Sequence, residues 1–332
     1  ITHHPLADRV IAGDRRAIAR ALSVVERGDE AARGLVGALF PRTGRAHLVG
    51  LTGAGGVGKS TLIAALVAEW RRRGRTVGVV AVDPTSALTG GALLGDRVRM
   101  EEHHADRGVW VRSLATRGAA GGLAGATLDA ARVLDAAGFE IVVVETIGVG
   151  QDEVEVARAV ETVVLVEAPN LGDDVQALKA GLLEIADLIV VGKADLPGAD
   201  RALATLRAMF HLAPGQPPPL LKASAATGRG IAPLADAVDA HLAWLSADGR
   251  REQRAQARAH AELERLLREE LVRVALARLG APNLDHASAL VASRKQDPYL
   301  VARGLIERVL SAAASPRARR NSAGSTSRTP RS

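Results

Sequence analysis

The stretch TGAGGVGKSTL, at residues 52–62, concentrates glycine directly before a lysine and two hydroxyl side chains. Gly53, Gly58, Lys59 and Ser60 fit the spacing G-x-x-x-x-G-K-[ST]. Glycine costs conformational entropy on folding, so this many glycines indicate that the backbone must come close to another group. In a loop of this kind, successive backbone N–H groups surround a phosphate, and the helix that follows adds its positive amino-terminal end.

The loop therefore predicts a site for a nucleotide and Mg²⁺. We expect Lys59 to neutralise the β- and γ-phosphates and the Ser60 hydroxyl to ligate the metal ion. The residues expected to contact the nucleotide here form one run: Gly53, Ala54, Gly55, Gly56, Val57, Gly58, Lys59, Ser60 and Thr61. The competing interpretation is a glycine turn with a chance lysine. It is disfavoured because a strand pattern precedes the loop and a helical pattern follows it.

A second motif, VVGKADLPG at residues 190–198, follows a hydrophobic strand pattern and resembles the [NT]-K-x-D motif with which GTPases read guanine. Asp195 would accept hydrogen bonds from the guanine N1–H and 2-amino group, a donor pair that adenine lacks. Lys193 would lie along the base. Gly192 stands where the motif normally has asparagine, so one side-chain hydrogen bond is missing.

A third stretch, KASAATGRG at residues 222–230, resembles the last GTPase motif. It would place Ser224 and Ala225 near the base. The three motifs follow one another in the chain order expected of strand ends in a single sheet.

Acidic residues at predicted strand ends are candidates for the metal site and for hydrolysis. Asp83 and Glu145 each end an apolar run, at the edge where α/β sheets bind ligands, and Asp96 lies in the glycine-containing stretch TGGALLGDRVRM. The expected metal ligands are Ser60, Asp83, Asp96 and Glu145. Gln151 is a candidate for orienting the attacking water by residue type alone. Singly, each acid could be a helix cap, a turn residue or a surface ion-pair partner.

Apolar runs alternate with helical patterns from residue 46 onward, which predicts an α/β fold with a doubly wound, mostly parallel sheet. Strands are expected at 46–52, 76–82, 109–114, 141–146, 162–167, 188–191 and 220–223. Helices are expected at 61–73, 123–137, 173–185, 200–210 and 231–245. Crossovers between the parallel strands should be right-handed.

The chain divides into four predicted parts: an N-terminal helical segment (1–44), a P-loop GTPase domain (45–249), a C-terminal helical arm (250–314) and a disordered basic tail (315–332). Residues 250–280 predict one long helix with an apolar stripe, and 299–310 a last helix. The stripe consists of Leu263, Leu266, Leu267, Leu271 and Val274. The long helix fits a dimerisation arm and equally a helix folded back on its own domain.

Composition excludes several classes of protein. The chain has no cysteine, so disulfides, thiolate metal sites and cysteine nucleophiles are excluded, and a cytoplasmic setting is expected. No apolar run approaches the roughly 20 residues of a membrane helix, and the first residues lack a signal-peptide pattern. The net charge is +6, and five arginines without an acid lie in 315–332. The body is nearly neutral and aromatic residues are 2%, so nucleic acid is not an expected partner.

Longer blocks resemble the MeaB/MMAA family, formerly labelled ArgK-type transport kinases. They are GAGGVGKSTL, AVDPTSALTGGALLGDRVRM, VRSLATRGAAGGLA, ETIGVGQDEVEV and GDDVQALKAGLLEIADLIVVGKAD. The family consists of P-loop GTPases that act as chaperones of adenosylcobalamin-dependent acyl-CoA mutases such as methylmalonyl-CoA mutase. The similarity extends from about residue 6 to about residue 310.

The resemblance implies roles for particular residues. Lys59, Asp83, Asp96 and Glu145 match the family's nucleotide and magnesium positions. Residues 83–100, 145–153 and 170–179 resemble its three switch segments, and Lys179 would join the nucleotide site when the partner is engaged. The resemblance also implies a homodimer built through C-terminal helices and a GTP-hydrolysing metallochaperone that gates adenosylcobalamin loading and protection of the mutase.

The sequence holds no complete D-x-H-x-x-G, the motif that carries the lower cobalamin ligand in mutases. The nearest stretch places His241 two residues after Asp239, but Trp244 stands at the glycine position, so any cobalamin is expected on a partner.

Two alternatives remain open: a nickel-insertion GTPase, and an adaptor that binds nucleotide without turnover. The first needs cysteine and histidine ligands, whereas cysteine is absent. The histidine pairs 3–4 and 103–104 fit solvated side chains better. The non-hydrolysing adaptor stays an alternative because Gly192 replaces the asparagine of the usual guanine motif. A transport-linked protein kinase is disfavoured because this sequence lacks the catalytic H-R-D and D-F-G motifs of protein kinases.

Overall fold

The computed structural model describes residues 4–83, 106–115, 122–146, 157–169, 182–211 and 217–314. The chain forms two compact units, Ile1–Glu262 and Leu263–Ser332. The four-part division predicted from the sequence stays a prediction.

Seven parallel strands form one sheet in the first unit, in the order β3-β2-β4-β1-β5-β6-β7. The strands are β1 (His47–Thr52), β2 (Val77–Asp83), β3 (Val109–Ala115), β4 (Ile141–Glu145), β5 (Thr162–Glu167), β6 (Leu188–Val191) and β7 (Leu220–Lys222). Every residue of β4, β5 and β6 is buried, which explains their continuous apolar sequences. The predicted fold class is confirmed, and each described strand lies within one residue of its predicted bounds.

Helices cover both faces of this sheet. The helices that follow strands are α4 (Lys59–Arg72), α5 (Gly122–Ala136), α6 (Ala199–His211) and α7 (Ile231–Ser246). Side chains of α4 and α7 share a core with Val49, Val143 and Val164, whereas α5 packs against the opposite face with Val142 and Val144. The predicted helix at 173–185 lies mostly outside the described residues. Both faces of the central strands are therefore covered by apolar side chains.

Three short helices precede the first strand: α1 (Pro5–Ile11), α2 (Arg15–Val25) and α3 (Glu30–Leu39). Asp14 accepts hydrogen bonds from the backbone N–H of Arg16 and Ala17 at the start of α2, and Asp29 caps α3 in the same way. The apolar faces of all three helices join the core that contains α5. The N-terminal helical segment thus contributes to the packing of the sheet rather than standing apart from it.

The second unit contains the later part of α8 (Arg250–Leu279), then α9 (Ala281–Ala292) and α10 (Pro298–Ala314). Helix α9 is absent from the sequence prediction. Gly280 lies directly before α9, and Pro282 lies in its first turn; together they separate α9 from α8. The predicted stripe of α8 is solvent-exposed: Leu263, Leu267 and Leu271 are each at least 60% exposed. Among the described residues, no helix has both the length and the apolar character that a bilayer span requires.

Candidate functional site

The glycine-rich loop lies between the end of β1 and the start of α4. A Cβ atom on Gly53 would lie 2.2 Å from the Val166 carbonyl oxygen, and the φ angle of Gly53 is +141°. Gly58 caps α4 with a left-handed φ of +99°. Both positions therefore require glycine, the first because a neighbouring strand touches the loop and the second because the chain turns sharply into the helix.

Lys59 points back into this loop. Its side chain is buried, with 6% of the residue exposed, and its Nζ donates to the carbonyl oxygens of Gly53 (2.7 Å) and Ala54 (3.1 Å). The ammonium group is thus held inside the loop, at the positive amino-terminal end of α4. This arrangement concentrates positive potential where the sequence predicts a phosphate.

Ser60 and Glu145 join the loop to the neighbouring strand. Ser60 Oγ donates to Glu145 Oε1 over 2.6 Å, and both residues are buried. Glu145 is the last residue of β4 and pairs in register with Leu51 of β1. Next to this pair, the hydroxyl groups of Thr52 and Thr146 lie 3.2 Å apart. A hydroxyl and a carboxylate, both hard oxygen donors, therefore meet beside the phosphate loop.

These two oxygen groups fit Mg²⁺, which prefers carboxylate and hydroxyl oxygen and keeps several of its waters. Among the described residues, no group of three or more His, Cys, Asp or Glu side chains forms a ready-made metal site. Mg²⁺ usually takes few protein ligands and completes its shell with substrate phosphates. Ser60 and Glu145 are the described residues that would hold it.

A second cluster is built by the loops that follow β6 and β7. Ser224, 1% exposed, donates its Oγ hydrogen to Asp195 Oδ1 over 2.5 Å. This hydrogen bond lowers the pKa of Asp195 and keeps its carboxylate ionised, as an acceptor for a donor pair. Ala225 follows Ser224 in the same turn and is partly buried. The hydroxyl thus orients the acid that the sequence predicts to read the base.

Lys193 connects the two clusters. Its Nζ donates to the Gly56 carbonyl oxygen over 2.7 Å, and its backbone adopts a φ of +50°, unusual for a residue with a side chain. A Cβ on Gly58 would lie 3.4 Å from Lys193 Cε. The lysine stem therefore lies against the phosphate loop, and the two predicted nucleotide-contacting loops form one surface.

Gly192 lies at the centre of this junction. Its N–H donates to the Glu167 carbonyl oxygen over 2.7 Å. A Cβ there would lie 3.4 Å from that oxygen and 3.6 Å from the Val57 carbonyl oxygen. These are ordinary contact distances, so the position has room for a side chain between the loop that follows β6 and the glycine-rich loop.

The remaining predicted site residues are only partly described. Asp83 ends β2, opposite Ala115 of β3 and two residues beyond the Ala81–Glu145 pair, so its backbone lies at the same edge as Glu145. Asp96, Gln151 and Lys179 lie outside the described residues, as do most of the three predicted switch segments. Their roles stay predictions.

Sequence reasoning missed three polar residues at this edge. Thr52 and Thr146 are buried at the ends of β1 and β4, and Glu167 is 4% exposed at the end of β5. A polar residue at the end of an all-apolar strand is the signal that Thr52, Thr146 and Glu167 share with Asp83 and Glu145.

His241, which the sequence placed near a cobalamin-ligand motif, contacts two residues at the edge of the sheet. Its Nδ1 lies 2.8 Å from Thr162 Oγ1, and its Nε2 lies 3.3 Å from Asp187 Oδ1. These contacts are at the amino edge of the sheet, opposite the phosphate loop. The D-x-H fragment noted in the sequence is thereby accounted for by packing on α7.

A parallel sheet with this loop between its first strand and α4 defines a P-loop nucleotide-binding protein. The profile of the family described as methylmalonyl Co-A mutase-associated GTPase MeaB matches residues 18–279, and the chain belongs to this family of P-loop GTPases. A putative GTPase of Pyrococcus horikoshii is 42% identical over 311 residues, covering 92% of this chain and 98% of its own. The GTPase ArgK of Escherichia coli is 34% identical, covering 80% and 83%. The crystal structure of a LAO/AO transport system kinase superposes with a TM-score of 0.70 at 27% identity, covering 92% and 96%.

Proposed function

We propose that this chain is a Mg²⁺-dependent GTPase that serves as a chaperone of an adenosylcobalamin-dependent acyl-CoA mutase, methylmalonyl-CoA mutase or a close relative. It would gate loading of the cofactor and protect the loaded enzyme. The observation that carries the GTPase part is the junction of the two loops, where Lys193 Nζ bonds the Gly56 carbonyl oxygen. A phosphate cradle and a guanine-reading acid on one surface are what a guanine nucleotide needs.

The described residues divide the binding work between them. Backbone N–H groups of residues 53–58 would surround the β-phosphate, and Lys59 would exchange its carbonyl partners for phosphate oxygens. Ser60 and Glu145 would hold Mg²⁺, which when bound neutralises the charge on the terminal phosphates. The hydrolytic water would be oriented from the segments that contain Asp96, Gln151 and Lys179.

Guanine selectivity would reside in Asp195. Its ionised carboxylate, oriented by Ser224, accepts two hydrogen bonds from the N1–H and 2-amino groups of guanine. Adenine presents no such pair, so the carboxylate would have no matching donors when adenine binds.

The partner is proposed from the family. The family is described as associated with methylmalonyl-CoA mutase. The chain lacks the complete cobalamin-ligand motif, and His241 is engaged by Thr162 and Asp187. Adenosylcobalamin would therefore be bound by the mutase, with this chain acting on it from outside. The cytoplasmic setting stays a prediction.

We also propose a homodimer formed through the second unit. Apolar side chains are widely exposed on α8 and α10, including Leu267 and Leu271 at 60%, Leu300 at 62% and Leu310 at 63%. Soluble proteins seldom leave so much contiguous apolar surface uncovered. Light scattering should give twice the chain mass, and Leu267→Glu with Leu271→Glu should give the monomer. A monomer from the unmodified chain would contradict the dimer.

Calorimetry and a turnover assay with Mg²⁺ test the central proposal. The chain should bind GDP and GTP, hydrolyse GTP slowly when alone and faster with the cognate mutase, because contact orders the switch residues. Lys59→Ala should abolish hydrolysis. Binding without turnover, alone or with any candidate mutase, would favour the adaptor that the missing asparagine at Gly192 keeps open. Failure to bind either nucleotide would refute the nucleotide site itself.

A further inference from the structure

The first half of α8, residues 250–262, contacts the sheet through charged side chains. After Arg250, which is also partly buried, four residues are partly buried while those between them are exposed: Arg251, Arg254, Arg258 and Glu262. Their spacing of three and four places them on one helix face. No residue of α8 is fully buried. A helix that docks on a domain normally presents an apolar stripe, whereas the face docked here is charged at every position.

The arginines reach two carboxylates that directly precede strands. Arg251 Nε donates to Glu161 Oε1 over 2.7 Å, and Arg258 lies 3.6 Å from the same carboxylate. Arg254 donates to Asp187 Oδ1 over 2.8 Å and to the Glu161 carbonyl oxygen over 3.2 Å. Thus the helix is attached at the starts of β5 and β6, at the amino edge of the sheet.

The same carboxylates serve the sheet without help from the helix. Glu161 accepts from the Leu48 N–H over 3.2 Å, and Asp187 accepts from the Val163 N–H over 2.9 Å. Their side chains are 6% and 8% exposed. The acids are therefore fixed parts of the sheet edge, and the arginines hold the helix while supplying positive charge beside these two carboxylates.

The last contact is made by Glu262, which accepts from Arg132 of α5 over 2.5 Å. Glu262 is also the final residue of the first unit, and the exposed leucines begin at Leu263. The charged docking face and the compact unit thus end at the same residue.

We propose that residues 250–262 form an electrostatic clasp: the ion pairs of these residues hold α8 on the sheet, and when the pairs break, α8 leaves the sheet while the sheet remains folded. The clasp would then act as a hinge in the helix that continues into the second unit. Two observations support release. The clasp arginines keep 20–40% of their side-chain surface in water, so salt ions reach the arginine side of each pair and weaken it, though less than they weaken a fully exposed pair. Arg258 Nη1 lacks a hydrogen-bond partner among the described residues, and burial lowers the pKa of this arginine, so holding it carries a cost.

The absence of cysteine makes a distance measurement straightforward. Spin labels on Gln256→Cys and Arg20→Cys, both at exposed positions in the first unit, report the separation of α8 from α2. With the labelled chain diluted into an excess of unlabelled chain, so that distances between protomers do not contribute, double electron–electron resonance in low salt should give one narrow distance distribution. Near about 1 M NaCl, where the screening length falls to about 3 Å, a second and broader population should appear.

Arg251→Ala combined with Arg254→Ala should produce the second population already in low salt. The matched control is Arg268→Ala, which removes a charge from an exposed pair with Glu264 on the same helix. It should leave the low-salt distribution narrow. A label pair on Arg20→Cys and Ala208→Cys, which excludes α8, should stay narrow throughout and shows that the sheet remains folded.

One distribution that stays narrow in the unmodified chain at every salt concentration would overturn the clasp. Loss of the narrow distance in the α2–α6 pair at the same salt concentration would also overturn it, because release would then be unfolding. Neither outcome depends on nucleotide binding, so the clasp and the proposed GTPase activity can fail separately.

Discussion

Ser60 Oγ and Glu145 Oε1 are 2.6 Å apart, and this hydrogen bond connects the first turn of α4 to the end of β4. The two residues are separated by 85 positions in the sequence and meet because β1 and β4 are adjacent parallel strands that end at the same edge. A buried carboxyl group beside a hydroxyl is the pair of oxygen donors that the proposed Mg²⁺ site would use.

Glu145→Gln should separate nucleotide binding from hydrolysis. The glutamine oxygen can still accept the Ser60 hydrogen bond, so the loop should keep its shape, but the negative charge that attracts Mg²⁺ is lost. We expect GTP turnover to fall by about two orders of magnitude, with GDP affinity in the absence of Mg²⁺ within about twofold of the unmodified chain. Steady-state kinetics across a Mg²⁺ titration measures the first and calorimetry the second. Unchanged turnover at low Mg²⁺ would remove Glu145 from the metal site.

Asp195→Asn should shift base preference from guanine to xanthine. Ser224 can still donate to the side-chain oxygen, so the loop geometry should persist, while the new amide donates where the carboxylate accepted. Because xanthine carries an oxygen at the 2-position, affinity for XTP should rise relative to GTP by about 10- to 100-fold. Competition binding with the two nucleotides gives the ratio directly. The same ratio in variant and unmodified chain would mean that Asp195 does not contact the base.

Gly192→Asn should strengthen guanine-nucleotide binding. The backbone of Gly192 is outside the left-handed region, and a Cβ would meet only ordinary contacts at 3.4–3.6 Å. The amide would reach the space beside the Val57 carbonyl oxygen and add about one hydrogen bond between the two loops, worth about threefold to tenfold in the Kd of GDP. Gly192→Ala is the matched control because it adds the Cβ without the amide. Equal gains in both variants would assign the effect to backbone stiffening.

Much of the fold follows from the sequence because its strands are continuous apolar runs. Runs such as IVVVE and LIVV can only be satisfied inside a sheet covered on both faces, so the strand bounds could be predicted within one residue. The glycine-rich loop could also be predicted from the sequence. A phosphate must approach its backbone closely, and this requires glycine at fixed positions such as Gly53 and Gly58.

Contacts between distant segments could not be read from the sequence. Lys193 bonds the Gly56 carbonyl oxygen from 137 positions away, and no local pattern specifies that distance. The same limit hid the charged face of α8. Its arginines resemble those of any solvated helix until Glu161 and Asp187 are known to lie beneath them. The short helix α9 was missed because Gly280 and Pro282 mark the end of one helix and the start of the next with the same signals.

His47 should make the fold sensitive to mild acid. Burial lowers the pKa of His47 from 6.5 to about 4, against the opposing effect of Glu161 and with smaller contributions from His241, Arg251 and Arg75. The neutral ring lies 2.6 Å from Thr162 Oγ1 at the start of β5. Between pH 6.5 and about 4 the unfolded chain therefore binds a proton that the folded chain does not. The free energy of unfolding should fall as pH falls through this window, by about 2 kcal/mol between pH 7 and pH 5.

His47→Gln is the variant that isolates this effect, because its amide nitrogen can still donate to Thr162 but does not titrate. Denaturant unfolding at several pH values between about 4 and about 7 measures both chains. The variant should be less stable at pH 7, where it loses ring packing, and its stability should decline less steeply toward acid. Histidines other than His241, which shares Thr162 with His47, contribute equally to both chains, so the difference in slope belongs to this pair. Parallel pH profiles would show that another group carries the acid sensitivity.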